Sequence, residues 1–156
     1  MKPANTIFAN LGTDQVAAIE TRDLVKMTTA QIAALTTTQI QALTTTQVTN
    51  LTTDQVVALT TDQFGSITAA QINSISAANL AKIETRDLVK LGTGQIASLS
   101  AGTLQALSTD QMAALSNAQV QKLTSDQFGA LGAASLTALT PTQFGVITAS
   151  QLNGVS

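Results

Sequence analysis

Residues 35 to 50 read Leu35-Thr36-Thr37-Thr38-Gln39-Ile40-Gln41-Ala42, then Leu43-Thr44-Thr45-Thr46-Gln47-Val48-Thr49-Asn50. The second eight residues restate the first. Working outward, the chain divides from Leu11 to Gly154 into eighteen such octads without an insertion. Position 1 is always Leu, Ile or Met, and position 6 is always apolar. Position 2 is Ser or Thr in thirteen octads and position 5 is Gln in thirteen. A fixed period of this kind is the mark of a repeat architecture.

The spacing discriminates among three ways of folding an octad. In one continuous helix, eight residues advance about 800°, so successive position-1 residues rotate by about 80° and form no apolar stripe. In a strand, positions 1 and 6 are an odd number apart and face opposite sides. A β-solenoid is nonetheless the alternative to keep, because Thr, Val and Ile favour strands. One short helix per octad explains more positions. Ser/Thr at position 2 with Gln three later is a capping box, in which each side chain serves a backbone N–H of the other. Positions 1 and 6 then flank the cap as a hydrophobic staple. Pro141 falls at the first helical position, where proline is tolerated best. Gly12, Gly92 and Gly132 stand at acceptable N-caps. Glu20 and Glu84 fit the cap poorly, and Asp23 and Asp87 are short for the reciprocal bond.

Helices this short are marginal alone, so stacking must hold them. The octads do not alternate in character, which implies equivalent places along a screw axis. A six-residue helix is about 9 Å long, close to the 8–10 Å spacing of packed helices. The expected fold is therefore all-α: a tight solenoid with one helix per octapeptide and three to four octads per coil. Residues 1–10 read as a degenerate N-terminal cap carrying Ile7 and Phe8, and residues 11–156 as a single solenoid domain. Ile147 to Gly154 is an ordinary octad and Val155-Ser156 reads as the start of another. An uncapped C-terminal coil leaves apolar surface exposed, which leaves two expectations: the array continues beyond this chain, or the coil docks onto another molecule and the chain self-associates as a dimer or an end-to-end fibre.

A longer period overlies the short one. Ile19 to Lys26 returns unchanged as Ile83 to Lys90, and Thr61 to Gly65 returns nearly unchanged as Ser125 to Gly129, both eight octads later. That is duplication of an eight-octad block.

The composition narrows function by exclusion. A chain that is 44% hydrophobic can build a core, but only 10% is charged, against about a quarter in ordinary globular chains. A net charge of −2 with seven basic residues offers no electrostatic footprint for nucleic acid. No apolar run approaches the roughly 18 residues of a membrane span, so membrane insertion is not expected. The first residues, Met1 to Asn5, lack the apolar stretch of a signal peptide. Without His or Cys, no nucleophile, base and orienting group can be assembled from the usual residues, and no enzyme activity and no cofactor are expected.

Residues 35 to 45, Leu-Thr-Thr-Thr-Gln-Ile-Gln-Ala-Leu-Thr-Thr, resemble the octapeptide arrays of very large bacterial exoproteins described as adhesin-like or haem-utilisation proteins. The resemblance covers nearly the whole chain. It implies a surface or secreted stalk or adhesive segment, hence an extracellular or cell-surface location, and it carries no functional residues over. The haem description finds no ligand set here: His, Cys and Tyr are absent, and Met27 and Met112 occupy positions 1 and 6. Leu139-Thr140-Pro141-Thr142-Gln143 is similar to the opening of a TAL-effector repeat, whose longer unit carries base-reading residues with no counterpart in this chain.

Most polar positions have a structural explanation. Asp14, Asp54, Asp62, Asp110 and Asp126 stand at position 4, in the first helical turn, where an acid faces the positive end of the dipole. Lys26, Lys82, Lys90 and Lys122 stand at position 8, near helix ends that favour cations. Arg22 with Asp23, and Arg86 with Asp87, read as exposed local charges. The acids carry no glycine-rich calcium motif, and no metal site is expected. Position 3 is different. Its threonines lie one residue past the cap and are expected to face outward. Thr29, Thr37, Thr45, Thr53 and Thr61 form the candidate surface-binding row, suited to a lattice such as ice or to a glycan.

Overall fold

The computed structural model describes Phe8 and residues 10–155. Among the described residues there are eighteen α-helices of four to six residues, one in each octad, and a closing 3₁₀ turn at Asn153–Val155. We number the helices by octad. The first six are α1 (Thr13–Ala17), α2 (Thr21–Leu24), α3 (Thr29–Ala33), α4 (Thr37–Ala42), α5 (Thr45–Thr49) and α6 (Thr53–Val57). Then come α7 (Thr61–Ser66), α8 (Ala69–Ser74), α9 (Ala77–Leu80), α10 (Thr85–Leu88), α11 (Thr93–Ala97) and α12 (Ala101–Gln105). The last six are α13 (Thr109–Ala114), α14 (Asn117–Lys122), α15 (Ser125–Gly129), α16 (Ala133–Thr137), α17 (Pro141–Phe144) and α18 (Ala149–Leu152). None of the described residues is in a strand, so the helical reading holds over the β-solenoid.

Each helix begins where the capping residues say it should. In α4 the Thr36 N–H donates to Gln39 Oε1 at 2.8 Å and the Gln39 N–H donates to Thr36 Oγ1 at 3.2 Å. At Gly12 and Gly92 only half of this exchange is made, the backbone N–H donating to the Gln carbonyl. Glu20 and Glu84 make no side-chain cap bond. Helices end at an extended corner: Leu43 has φ −59° and ψ 132°, and the next cap, Thr44, has φ −69° and ψ 157°. No described residue has positive φ. The corner is thus open to any L-residue, and leucine takes it because position 1 must also fill the core.

Helices three octads apart pack on one another. The series α1, α4, α7, α10 and α13 forms one such run, each member against the next, and α2, α5 and α8 form another. Hydrogen bonds between neighbouring coils join residues 25 to 31 apart, so one coil takes between three and four octads, as the spacing predicts. Inside runs a continuous apolar column of position-1 and position-6 side chains, from Val16 and Leu24 to Leu131 and Leu139. Burial of these positions is not universal, however. Phe144 is 50% and Leu152 55% exposed, because no coil of the described chain lies over them. The expected N-terminal cap falls, apart from Phe8 and Asn10, outside the described residues; Phe8 packs against the core.

Candidate functional site: a glutamine ladder and a threonine face

The position-5 glutamines do two things at once. Their Oε1 accepts the cap N–H, as above, and their Nε2 turns inward to the preceding coil. Gln63 Nε2 donates to the carbonyls of Ile32 and Leu35 at 2.9 and 2.6 Å. Gln71 does the same to Ile40 and Leu43, both at 2.7 Å, and Gln111 to Leu80 and Ile83 at 2.8 and 2.7 Å. The register is constant: 31 residues back to a position-6 carbonyl and 28 back to a position-1 carbonyl. The position-1 carbonyl receives no backbone N–H of the described residues, whereas the position-6 carbonyl also accepts the N–H of the following position 1, as Ile32 does from Leu35 at 3.1 Å. From Gln39 to Gln151 the amides climb the solenoid, all buried except the half-buried Gln95. Each ties a helix start to a helix end of the coil before.

The ladder is what reasoning from the octad missed. A capping box accepts Glu as well as Gln, and Glu would suit the helix dipole better. Yet the chain uses Gln thirteen times and Glu never at this position. The reason is the second bond: a carboxylate cannot donate. Consistent use of the amide was the signal.

Where position 5 is not Gln, the rung changes. Asn79 still reaches Leu51 O at 3.1 Å through Nδ2, and its Oδ1 accepts the Thr53 hydroxyl at 2.7 Å. Asp87 cannot donate. Its residue is 3% exposed and Oδ1 has no hydrogen bond; Arg86 Nε stands 3.8 Å from it. The expectation that Arg86 and Asp87 are both exposed therefore fails for Asp87, because the coil before it covers position 5 there. The Asp23 side chain does stay exposed, at 56%.

The position-3 threonines are outward, but Thr29, Thr37, Thr45, Thr53 and Thr61 do not stand in one row. Consecutive octads turn around the coil, so the five divide among its sides: Thr29 and Thr53 begin one packed pair of helices, α3 and α6, and Thr37 and Thr61 begin another, α4 and α7. Thr53 is also occupied by its bond to Asn79. The helices that pack directly bring together another set, Thr13, Thr37, Thr61, Thr85 and Thr109, at the start of α1, α4, α7, α10 and α13. All of them are exposed except Thr61, which is half-buried. Further polar ties cross the coils at position 7, where Gln41, Asn73 and Gln105 donate to the position-8 carbonyls of Ser66, Ser98 and Ala130 at 2.8 to 3.0 Å.

Residues 16–53 and 80–117 match the family model of the ALTTAQ repeat. The second match begins eight octads after the first, the same displacement as the duplicated octads, so the chain contains a repeat segment present in two related copies. No curated protein matches the chain. Among the described residues, no three of His, Cys, Asp and Glu gather closely enough to hold a metal ion, and no helix is long and apolar enough to cross a membrane.

Proposed function

We propose that the chain is a non-catalytic repeat module acting as a rigid spacer with a regular interaction surface, of the kind carried by bacterial surface or secreted proteins. The observation that carries this reading is the glutamine ladder. It cross-ties successive interior coils through buried, doubly donating amides, which resists both stretching and bending of the stack. Coils linked only by apolar contact would slide more easily, since dispersion and burial are not directional.

Pulling the chain between its ends in a force spectrometer tests the spacer role. A tethered wild-type chain is expected to yield in a few cooperative steps, and a Gln55→Met, Gln63→Met, Gln71→Met triple variant to yield earlier in the coils that lost their rungs. Featureless lengthening of the wild type at low force would remove the spacer reading.

The stacked set Thr13, Thr37, Thr61, Thr85 and Thr109 favours a second reading, recognition of a repeating surface such as a glycan or ice. Glycan-array binding and thermal hysteresis test it, with Thr37→Lys and Thr85→Lys as the blocked form. Binding unchanged in that form would dismiss this face. Exposed Phe144, Leu152 and Val155 are the surface for the self-association expected from the sequence, and light scattering over a range of concentrations measures it.

A further inference from the structure

Thr103 interrupts the ladder in the interior. By the constant register, the amide expected at that position belongs on the carbonyls of Ile72 and Ile75. Thr103 is too short to reach them. Its hydroxyl instead lies 2.8 Å from Ser100 Oγ and 2.9 Å from Asn73 Oδ1. Asn73 Oδ1 also accepts the Ser100 N–H at 2.8 Å, and its Nδ2 donates to Ser98 O at 2.9 Å. The two coils are therefore tied at the rim, while the rung itself is missing.

A cleft takes its place. It has a volume of about 250 Å³ and is lined by Asn73, Ile75, Ala77, Leu80, Thr103 and Ala106 among others. Helices α9 and α12, which flank it, are not among the pairs that pack closely on each other. The space beside Gly102 is open: a Cβ there would meet only the Ser100 hydroxyl, 3.9 Å away. The Ile72 carbonyl accepts the Ile75 N–H at 3.2 Å, whereas no backbone N–H of the described residues reaches the Ile75 carbonyl. An acceptor that no donor reaches, beside an apolar wall, calls for a donor, and space left by a missing side chain takes up molecules shaped like the missing part.

We propose that this cleft binds a small primary carboxamide with a short aliphatic tail. The amide NH₂ donates to the Ile75 and Ile72 carbonyls, as the glutamine amide does on the other rungs, and the tail lies against Ala77, Leu80 and Ala106. The ligand carbonyl faces the open mouth, because the Ser100 N–H is already taken by Asn73. A cationic amine is the poorer fit, as none of the lining residues is an acid.

Titration of the full chain with butyramide, followed by ¹⁵N–¹H correlation spectra, tests this. The expected result is saturable shifts confined to Ile75, Leu80, Gly102 and Thr103, with Kd in the millimolar range appropriate to so small a ligand. N,N-Dimethylbutyramide, which has no N–H, should bind at least tenfold more weakly. Thr103→Gln should abolish binding by supplying the rung. Ala77→Leu, at an exposed position on the cleft wall, should abolish it by filling the space, and decides the matter if Thr103→Gln does not fold. Absence of saturation in the wild type, equal binding of the dimethyl analogue or of propylammonium, or binding that survives Ala77→Leu would each overturn the assignment.

Discussion

Ile19 to Lys26 and Ile83 to Lys90 are the same eight residues in two settings. Locally they fold alike: each gives a four-residue helix, α2 and α10, with an uncapped Glu before it. Each also forms the same short ion pair, Arg22 Nε to Glu20 at 2.7 Å and Arg86 Nε to Glu84 at 2.9 Å. They part at one atom group. The Asp23 side chain is 56% exposed and holds Lys26 Nζ at 3.3 Å, whereas the Asp87 side chain is 5% exposed and its Oδ1 is unbonded. Everything decided within the octad is shared, and what differs is decided by the coil stacked before it. An octad therefore has an inside rule and a neighbour rule, and position 5 is where they meet.

The largest effect should come from making an interior rung resemble Asp87. Gln63→Glu keeps the cap but sets a carboxylate against the carbonyls of Ile32 and Leu35, replacing two donated bonds with a buried charge. It should cost about 3 kcal/mol, read as a lower urea midpoint at unchanged slope. Gln31→Glu, at a glutamine whose Nε2 makes no tie among the described residues, should change stability by less than about 0.5 kcal/mol. Equal losses at the two sites would mean that the amide matters only for the cap.

A smaller effect of opposite sign is expected at the duplicated octad. Asp87→Gln removes the unbonded buried oxygen and supplies a donor toward the carbonyls of Val56 and Leu59 in the coil before. It should stabilise by about 1–2 kcal/mol, seen as a rise in Tm, while the twin Asp23→Gln should do nothing comparable. If the twins moved together, burial of Asp87 would not be the cause. The smallest effect belongs to the shared feature. Arg22→Ala and Arg86→Ala each break an exposed ion pair and should cost about 0.5 kcal/mol or less. Chemical denaturation of the two variants side by side measures this, and a clear gap between them would show that Arg86 steadies Asp87 despite its 3.8 Å distance.

Much of this was legible in the octad itself. The phase of the repeat, the Ser/Thr caps, Pro141 at the first helical position and the buried positions 1 and 6 follow from chemistry confined to a single octad, where sequence is a direct guide. A range of three to four octads per coil followed from helix length and packing distance. The role of the glutamine amide did not, because the capping box already explained Gln completely and nothing local distinguishes Oε1 alone from both ends of the side chain. The grouping of the threonines was not legible for a related reason. Thr29 to Thr61 are neighbours along the chain, but which threonines share a side depends on the turn per octad, a quantity no single octad contains. Asp87 and Thr103 likewise look ordinary until the residues of the coil before are placed beneath them.

The corner between octads, extended at two residues and free of any left-handed conformation, has a consequence for how such a chain changes over generations. A turn that needs glycine at one spot fixes the identity of that spot. Here any octad can follow any other, and each new one finds its partners by counting back along whatever chain precedes it. Gain or loss of whole octads shortens or lengthens the rod while every amide still meets a carbonyl. A gain or loss of one residue would put all later amides out of step with the coil below. Length in this molecule is a digital variable, adjustable in whole octads and intolerant of fractions.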